Sequence, residues 1–136
     1  MATKTRRYKI LSTEGLAPGE SPGVINDNIE AVEWRDSLDR PHRVGAPAIK
    51  YLNGSYGYYI NGAPHREDGP ALKNNKGCFY YVNGLIHNDS GPAVILERGQ
   101  EYFALNGIYL EPEEWLRALP EEARVKYLFD LNHKTL

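Results

Sequence analysis

The chain repeats itself, and the repeat constrains the fold more than any other feature. His42-Arg43-Val44-Gly45-Ala46-Pro47-Ala48, His65-Arg66-Glu67-Asp68-Gly69-Pro70-Ala71 and His87-Asn88-Asp89-Ser90-Gly91-Pro92-Ala93 align on histidines spaced 23 and then 22 residues apart. Six residues after each alanine comes a glycine, at Gly54, Gly77 and Gly99, and an Asn-Gly pair follows at Asn61-Gly62, Asn83-Gly84 and Asn106-Gly107. A period of this length is the mark of stacked supersecondary units, none of which buries its apolar face alone.

Each unit reads as a β-hairpin. First strands are expected over Ala48–Leu52, Ala71–Asn75 and Ala93–Glu97, and second strands over Ser55–Ile60, Cys78–Val82 and Glu101–Leu105. The turns between them fall at Asn53-Gly54, Lys76-Gly77 and Arg98-Gly99, where glycine accepts the positive φ of a tight hairpin. Each second strand ends in Asn-Gly, and a loop carrying His and Gly-Pro leads onward. Proline has no backbone N–H and suits the entry to a strand.

The flanks differ. Tyr8–Leu11 reads as a strand and Thr13–Gly23 as a loop. Val24-Ile25 and Ile29–Trp34 around Asn26-Asp27-Asn28 read as a further hairpin. Pro112-Glu113-Glu114 opens a helix to about Leu119, and Pro120-Glu121-Glu122 opens another to about Leu131, with proline in the first turn and acids at the positive end of the dipole. Val125, Leu128 and Phe129 form an apolar stripe at helical spacing. The chain is therefore expected to be one mainly β domain over residues 1–136. It comprises an N-terminal strand, loop and hairpin (1–33), an antiparallel meander of stacked hairpin repeats (34–110) and a short C-terminal helical cap (111–136).

The segment Tyr59-Ile60-Asn61-Gly62-Ala63-Pro64-His65-Arg66-Glu67-Asp68-Gly69-Pro70-Ala71 resembles the variant class of MORN repeats, whose units read aromatic-x-Asn-Gly-x-x-His-Arg-x-Asp-Gly-Pro-Ala. The resemblance covers about Trp34 to Gly107. In the third unit Asn88 stands for Arg and Ser90 for Asp; in the first, Gly45 stands for Asp and Ala46 for Gly. The His-Gly-x-Gly core of ordinary MORN repeats is absent. The resemblance implies a meander of stacked hairpins and an origin among bacterial and bacteriophage proteins, some of them labelled antitoxins.

Charge and cysteine count narrow the function. Sixteen basic against eighteen acidic residues give a net charge of −2, which disfavours a nucleic-acid partner. No apolar run approaches the roughly 20 residues of a membrane span. Met1–Lys9 is basic without the apolar stretch of a signal peptide, and the single cysteine, Cys78, excludes an internal disulfide framework, so a cytoplasmic location is expected, that of the host if the protein is phage-encoded.

Strand alternation sorts the side chains. One face of the second strands takes Tyr58 and Ile60, Tyr80 and Val82, Phe103 and Leu105, and is the expected core. The other takes an aromatic file of Tyr59, Phe79, Tyr81 and Tyr102, a candidate contact surface. Equivalent residues of successive hairpins lie two strand spacings apart, roughly 9–10 Å. Histidines 42, 65 and 87 therefore form a file and not a cage around one metal, and no metal or cofactor is expected. Each imidazole is expected to organise its own loop. Arg43 and Arg66, with Arg35 and Arg40 near the first loop, could hold an anion. Cys78, Ser90 with His87, and the Glu113-Glu114 and Glu121-Glu122 pairs form no convergent catalytic set.

The resulting expectation is a non-enzymatic interaction protein that binds a macromolecular protein target, and self-association is left open. The resemblance adds the finer reading of a phage or bacterial antagonist that blocks a host defence or toxin component. The alternative is a protein that sequesters a nucleotide signal, with the aromatic file stacking the base and Arg43 or Arg66 holding phosphate. The candidate binding residues are Tyr59, Phe79, Tyr81, Tyr102, Arg43, His65, Arg66 and His87.

Overall fold

The computed structural model describes residues 8–10 and 23–133; the expected loop Thr13–Gly23 falls almost wholly outside them. The chain is mainly β and antiparallel. Its strands are β1 (Tyr8–Ile10), β2 (Val24–Asn26), β3 (Ala31–Glu33), β4 (Ile49–Tyr51), β5 (Tyr56–Gly57), β6 (Tyr59–Ile60), β7 (Ala63–Pro64), β8 (Leu72–Asn74), β9 (Gly77–Phe79), β10 (Tyr81–Val82), β11 (Leu85–Ile86), β12 (Val94–Leu96), β13 (Glu101–Leu105) and β14 (Ile108–Leu110). Ten of them form one meander in the order β1-β2-β3-β4-β5-β8-β9-β12-β13-β14, and β6-β7 and β10-β11 are separate two-stranded ribbons.

The ribbons are where the fold departs from the expected hairpin. The second strand of a unit does not run unbroken to Asn-Gly in the first two repeats. Tyr58 donates its N–H to Ala71 O at 2.7 Å, in the next unit, but its carbonyl accepts from His65 N at 3.0 Å, in its own ribbon. Tyr80 does the same with Ala93 O (2.8 Å) and His87 N (2.9 Å). The chain thus changes partner at the aromatic residue, and the strand splits there. Asn-Gly then serves as a two-residue hairpin turn, with φ of 48° and 85° at Asn61-Gly62 and 51° and 79° at Asn83-Gly84. In the third unit no further repeat follows, and β13 runs continuously into its pairing with β14.

Trp34 occupies the same place in the first, irregular unit: its N–H reaches Ala48 O at 2.7 Å and its carbonyl accepts from His42 N at 2.9 Å. Here the Asn-Gly turn is replaced by the longer loop Asp36–Arg40, closed by the Asp36 N–H on Arg40 O. The alanines of the repeat, Ala48, Ala71 and Ala93, are fully buried, because a larger residue at the crossing would separate the units.

Two apolar clusters lie on opposite faces. Across the sheet, Ile49, Gly57, Leu72, Phe79, Val94 and Tyr102 are paired in register and share a face. That face carries the cluster of Ile86, Ala93, Val94 and Ala104; Phe79, Tyr81 and Leu96 pack against it, as does Tyr80 from the point where the strand splits. The face expected to hold the whole core is filled only at its C-terminal end, where Phe103, Trp115 and Leu119 meet Leu105, Leu110, Ala123 and Tyr127. The reason is the cap: helices α1 (Pro112–Ala118) and α2 (Glu121–His133) sit at the C-terminal end of the array, where α1 packs on β13 and β14 and the Trp115 indole N–H bonds Asn88 O. Helix α2 packs through Ala123 and Tyr127, so the apolar stripe Val125, Leu128 and Phe129 points away and is exposed.

Candidate functional site

The repeat histidines do not organise their own loops. His42, His65 and His87 each accept, through Nδ1, the backbone N–H of the asparagine that opens the next unit's turn: Asn61, Asn83 and Asn106, each at 2.9 Å. Because Nδ1 accepts, each ring is the neutral tautomer protonated at Nε2. Successive ribbons are also stitched by backbone bonds, Gly84 N to Pro64 O at 2.9 Å and Arg66 N to Tyr81 O at 3.0 Å among them. Histidine is thus a staple between units, and no group of three or more metal-ligating side chains converges among the described residues.

The repeat arginines are likewise engaged within the fold. Arg43 lies over the Trp34 ring at 3.8 Å and Arg66 over Tyr58 at 4.1 Å, geometry suited to cation–π attraction. Each also closes its loop on a proline carbonyl, Arg43 Nη1 on Pro47 O at 3.4 Å and Arg66 Nη1 on Pro70 O at 3.1 Å. Arg66 Nε adds a bond to Asp68 Oδ1 at 2.9 Å, which holds the Asp68 carboxyl below its ordinary value. Around the first loop, Arg35 pairs with the buried Glu33 at 2.8 Å and Arg40 with Asp36 at 2.8 Å. A salt bridge to a buried carboxylate offsets its desolvation, so Arg35 is part of the fold.

The aromatic file keeps its common face but not equal exposure. Phe79 and Tyr81 are partly buried on the apolar cluster. Tyr59 is half-buried; burial pushes its phenol above the ordinary 10.0, and the nearby phenols of Tyr51 and Tyr81 add to that. Tyr59 covers Gly57, where a Cβ would lie 2.5 Å from its ring. Tyr102 is 47% exposed and Tyr51 37%. Tyr109, opposite Ala104 in the ladder and 59% exposed, extends the file to the sheet edge. Tyr51 and Tyr109 were not singled out from the sequence, although alternation from Ile49 and from the Asn106-Gly107 turn places both on this face.

Cys78 is a free, partly buried thiol on the opposite face, in register with Lys73 and Ile95. Ser90 Oγ bonds Asp89 at 3.2 Å and not His87, whose Nδ1 serves Asn106. No family model, no curated protein and no solved structure matches the chain.

Proposed function

We propose that the chain is a non-enzymatic interaction protein that docks on one macromolecular protein target through the face bearing Tyr51, Tyr59, Tyr102 and Tyr109. One observation carries this reading: a row of tyrosines crosses one sheet face, packed on the apolar cluster in its middle and exposed at its ends. Aromatic anchors of this kind dominate protein interfaces, and truncating one typically costs about 2 kcal/mol or more of affinity. The nucleotide-sequestering alternative needs Arg43 or Arg66 for phosphate, yet both guanidinium groups lie over rings of their own loops. The finer reading is a phage or bacterial antagonist of a host defence or toxin component, working in the cytoplasm; it draws on the resemblance of the repeats.

The test is affinity capture from bacterial lysate with the wild-type chain and with the Tyr51→Ala, Tyr102→Ala double variant. Both side chains are exposed, so the variant is expected to stay folded. Loss of a specific captured protein by the folded variant supports the assignment. Equal capture by both chains rejects this face.

A further inference from the structure

Four rings occupy equivalent places where the chain passes from the main sheet into a ribbon or the last hairpin: Trp34, Tyr58, Tyr80 and Phe103. Arg43 covers the first and Arg66 the second. Trp115 of the cap covers Phe103, with ring centroids 4.6 Å apart. Among the described residues, no cation or second ring covers Tyr80 in this way. The cause is the change from Arg to Asn88 in the third unit. Asn88 Nδ2 still closes the loop on Pro92 O at 2.9 Å, matching Arg66 on Pro70 O, but its short side chain ends there.

Tyr80, partly buried against the cluster of Ile86, Ala93, Val94 and Ala104 but without a stacked cation or ring, lines a cleft of about 550 Å³. The carboxylates of Glu67, Asp68 and Glu101 border it, with Lys126 on the side of α2. Asp68 already neutralises Arg66, whereas the exposed Glu101 side chain has no hydrogen-bond or ion-pair partner among the described residues. Tyr127 and Leu131 of α2 supply the far wall. The fold itself seats a guanidinium group on a ring twice, Arg66 on Tyr58 and Arg43 on Trp34, and in the first case a carboxylate, that of Asp68, pairs with it.

We propose that this cleft receives the guanidinium group of an arginine presented by a partner protein, stacked on Tyr80 and paired with Glu101. Arginine fits better than lysine because a planar, weakly hydrated cation stacks on a ring and pairs with a carboxylate at once. A protein segment fits better than the free amino acid because the cleft is far larger than one guanidinium group and its α2 wall can take flanking residues. The site is on the opposite face from the tyrosine row and stands independently of the function proposed above.

The test is an NMR titration of the isotopically labelled full chain with three probes: an arginine-centred pentapeptide, its lysine counterpart and N-acetylarginine amide. The arginine peptide is expected to shift the amides of Ser90, Gly91 and Glu101 and the Tyr80 ring signals. Binding is expected to be at least threefold weaker for each of the other two probes. Glu101→Gln should weaken the arginine peptide severalfold. Asn88→Arg should fill the cleft from within, abolish binding and leave the remaining spectrum native. Equal response to arginine and lysine peptides, or binding unchanged in Asn88→Arg, overturns the proposal. Equal affinity for N-acetylarginine amide overturns the assignment to a protein segment.

Discussion

The Nδ1 atom of His65 accepts the backbone N–H of Asn83, 18 residues further on, at 2.9 Å. The same bond joins His42 to Asn61 and His87 to Asn106. Each ties the loop of one unit to the turn of the next, and the asparagine it holds sits at positive φ, between 48° and 51°. A backbone conformation that costs a non-glycine residue energy is therefore fixed by a side chain from the neighbouring unit.

Replacing His65 with Phe keeps the ring and removes the acceptor. Urea unfolding is expected to show a loss of about 1 kcal/mol, the net worth of one hydrogen bond. Combining it with His42→Phe should roughly double the loss if the staples act independently. A single variant as stable as wild type would show that water replaces the imidazole at no cost.

The glycines of the array divide by mechanism. Gly84 has φ +79° and open space around its missing Cβ, with only Ala63 at 3.5 Å. Gly77, at φ +149°, is pressed against the neighbouring strand, where a Cβ would lie 2.2 Å from Ile95 O and 2.8 Å from Leu96 Cα. Gly84→Ala should cost about 1 kcal/mol, from conformation alone. Gly77→Ala should cost about 3 kcal/mol, since backbone must move as well. Equal urea midpoints for the two variants would contradict the close approach of β9 and β12.

Trp115 anchors the cap. It is 1% exposed, lies between Phe103 at 4.6 Å and Tyr127 at 4.9 Å, and donates its indole N–H to Asn88 O at 2.9 Å. Trp115→Ala should destabilise the chain by about 3–5 kcal/mol, the usual cost of emptying a large aromatic site. Trp115→Phe should lose less, keeping the stack and giving up the hydrogen bond, with about 1 kcal/mol of difference. Denaturant melts of both variants read these costs directly. A mild effect of Trp115→Ala would mean that the repeats stand without their cap.

The repeat, the antiparallel meander and the helical cap were legible because each rests on local chemistry: glycine at turns, proline at strand entries, acids at helix starts. The broken second strand was not, because Tyr58 and Tyr80 change partner through their backbone atoms, which side-chain pattern does not report. Alternation placed Tyr59, Phe79, Tyr81 and Tyr102 on one face correctly. It could not say which face is covered, since that depends on how far α1 and α2 reach. The histidine staples escaped for a related reason. The recurrence of His and Asn-Gly was plain, but their contact runs between units, and spacing within a unit does not reveal it. The change from Arg66 to Asn88 was visible as a departure from the repeat; that it uncovers a ring needed the stack of Arg66 on Tyr58 to be seen.

Alkaline pH tests how the tyrosines are buried. Burial raises the phenol of Tyr59 above its ordinary 10.0, with Tyr51 and Tyr81 adding to the rise. Burial also raises Tyr80, as do Cys78 and Tyr56, while Arg66 opposes the shift. A phenol whose value is raised on folding holds its proton longer in the native state than in the unfolded one. The unfolded chain therefore ionises first, and the associated stability is fully present below pH 10.0 and is lost as pH rises through the folded value. Urea midpoints measured from about pH 8 to about pH 11 should fall more steeply in the wild type than in Tyr59→Phe or Tyr80→Phe. Phenolate absorbance should show Tyr59 and Tyr80 ionising above the ordinary tyrosine value of 10.0. If both phenylalanine variants follow the wild-type pH profile, Tyr59 and Tyr80 meet solvent freely, and the packing of these two rings on the apolar cluster and on Gly57 is not as described.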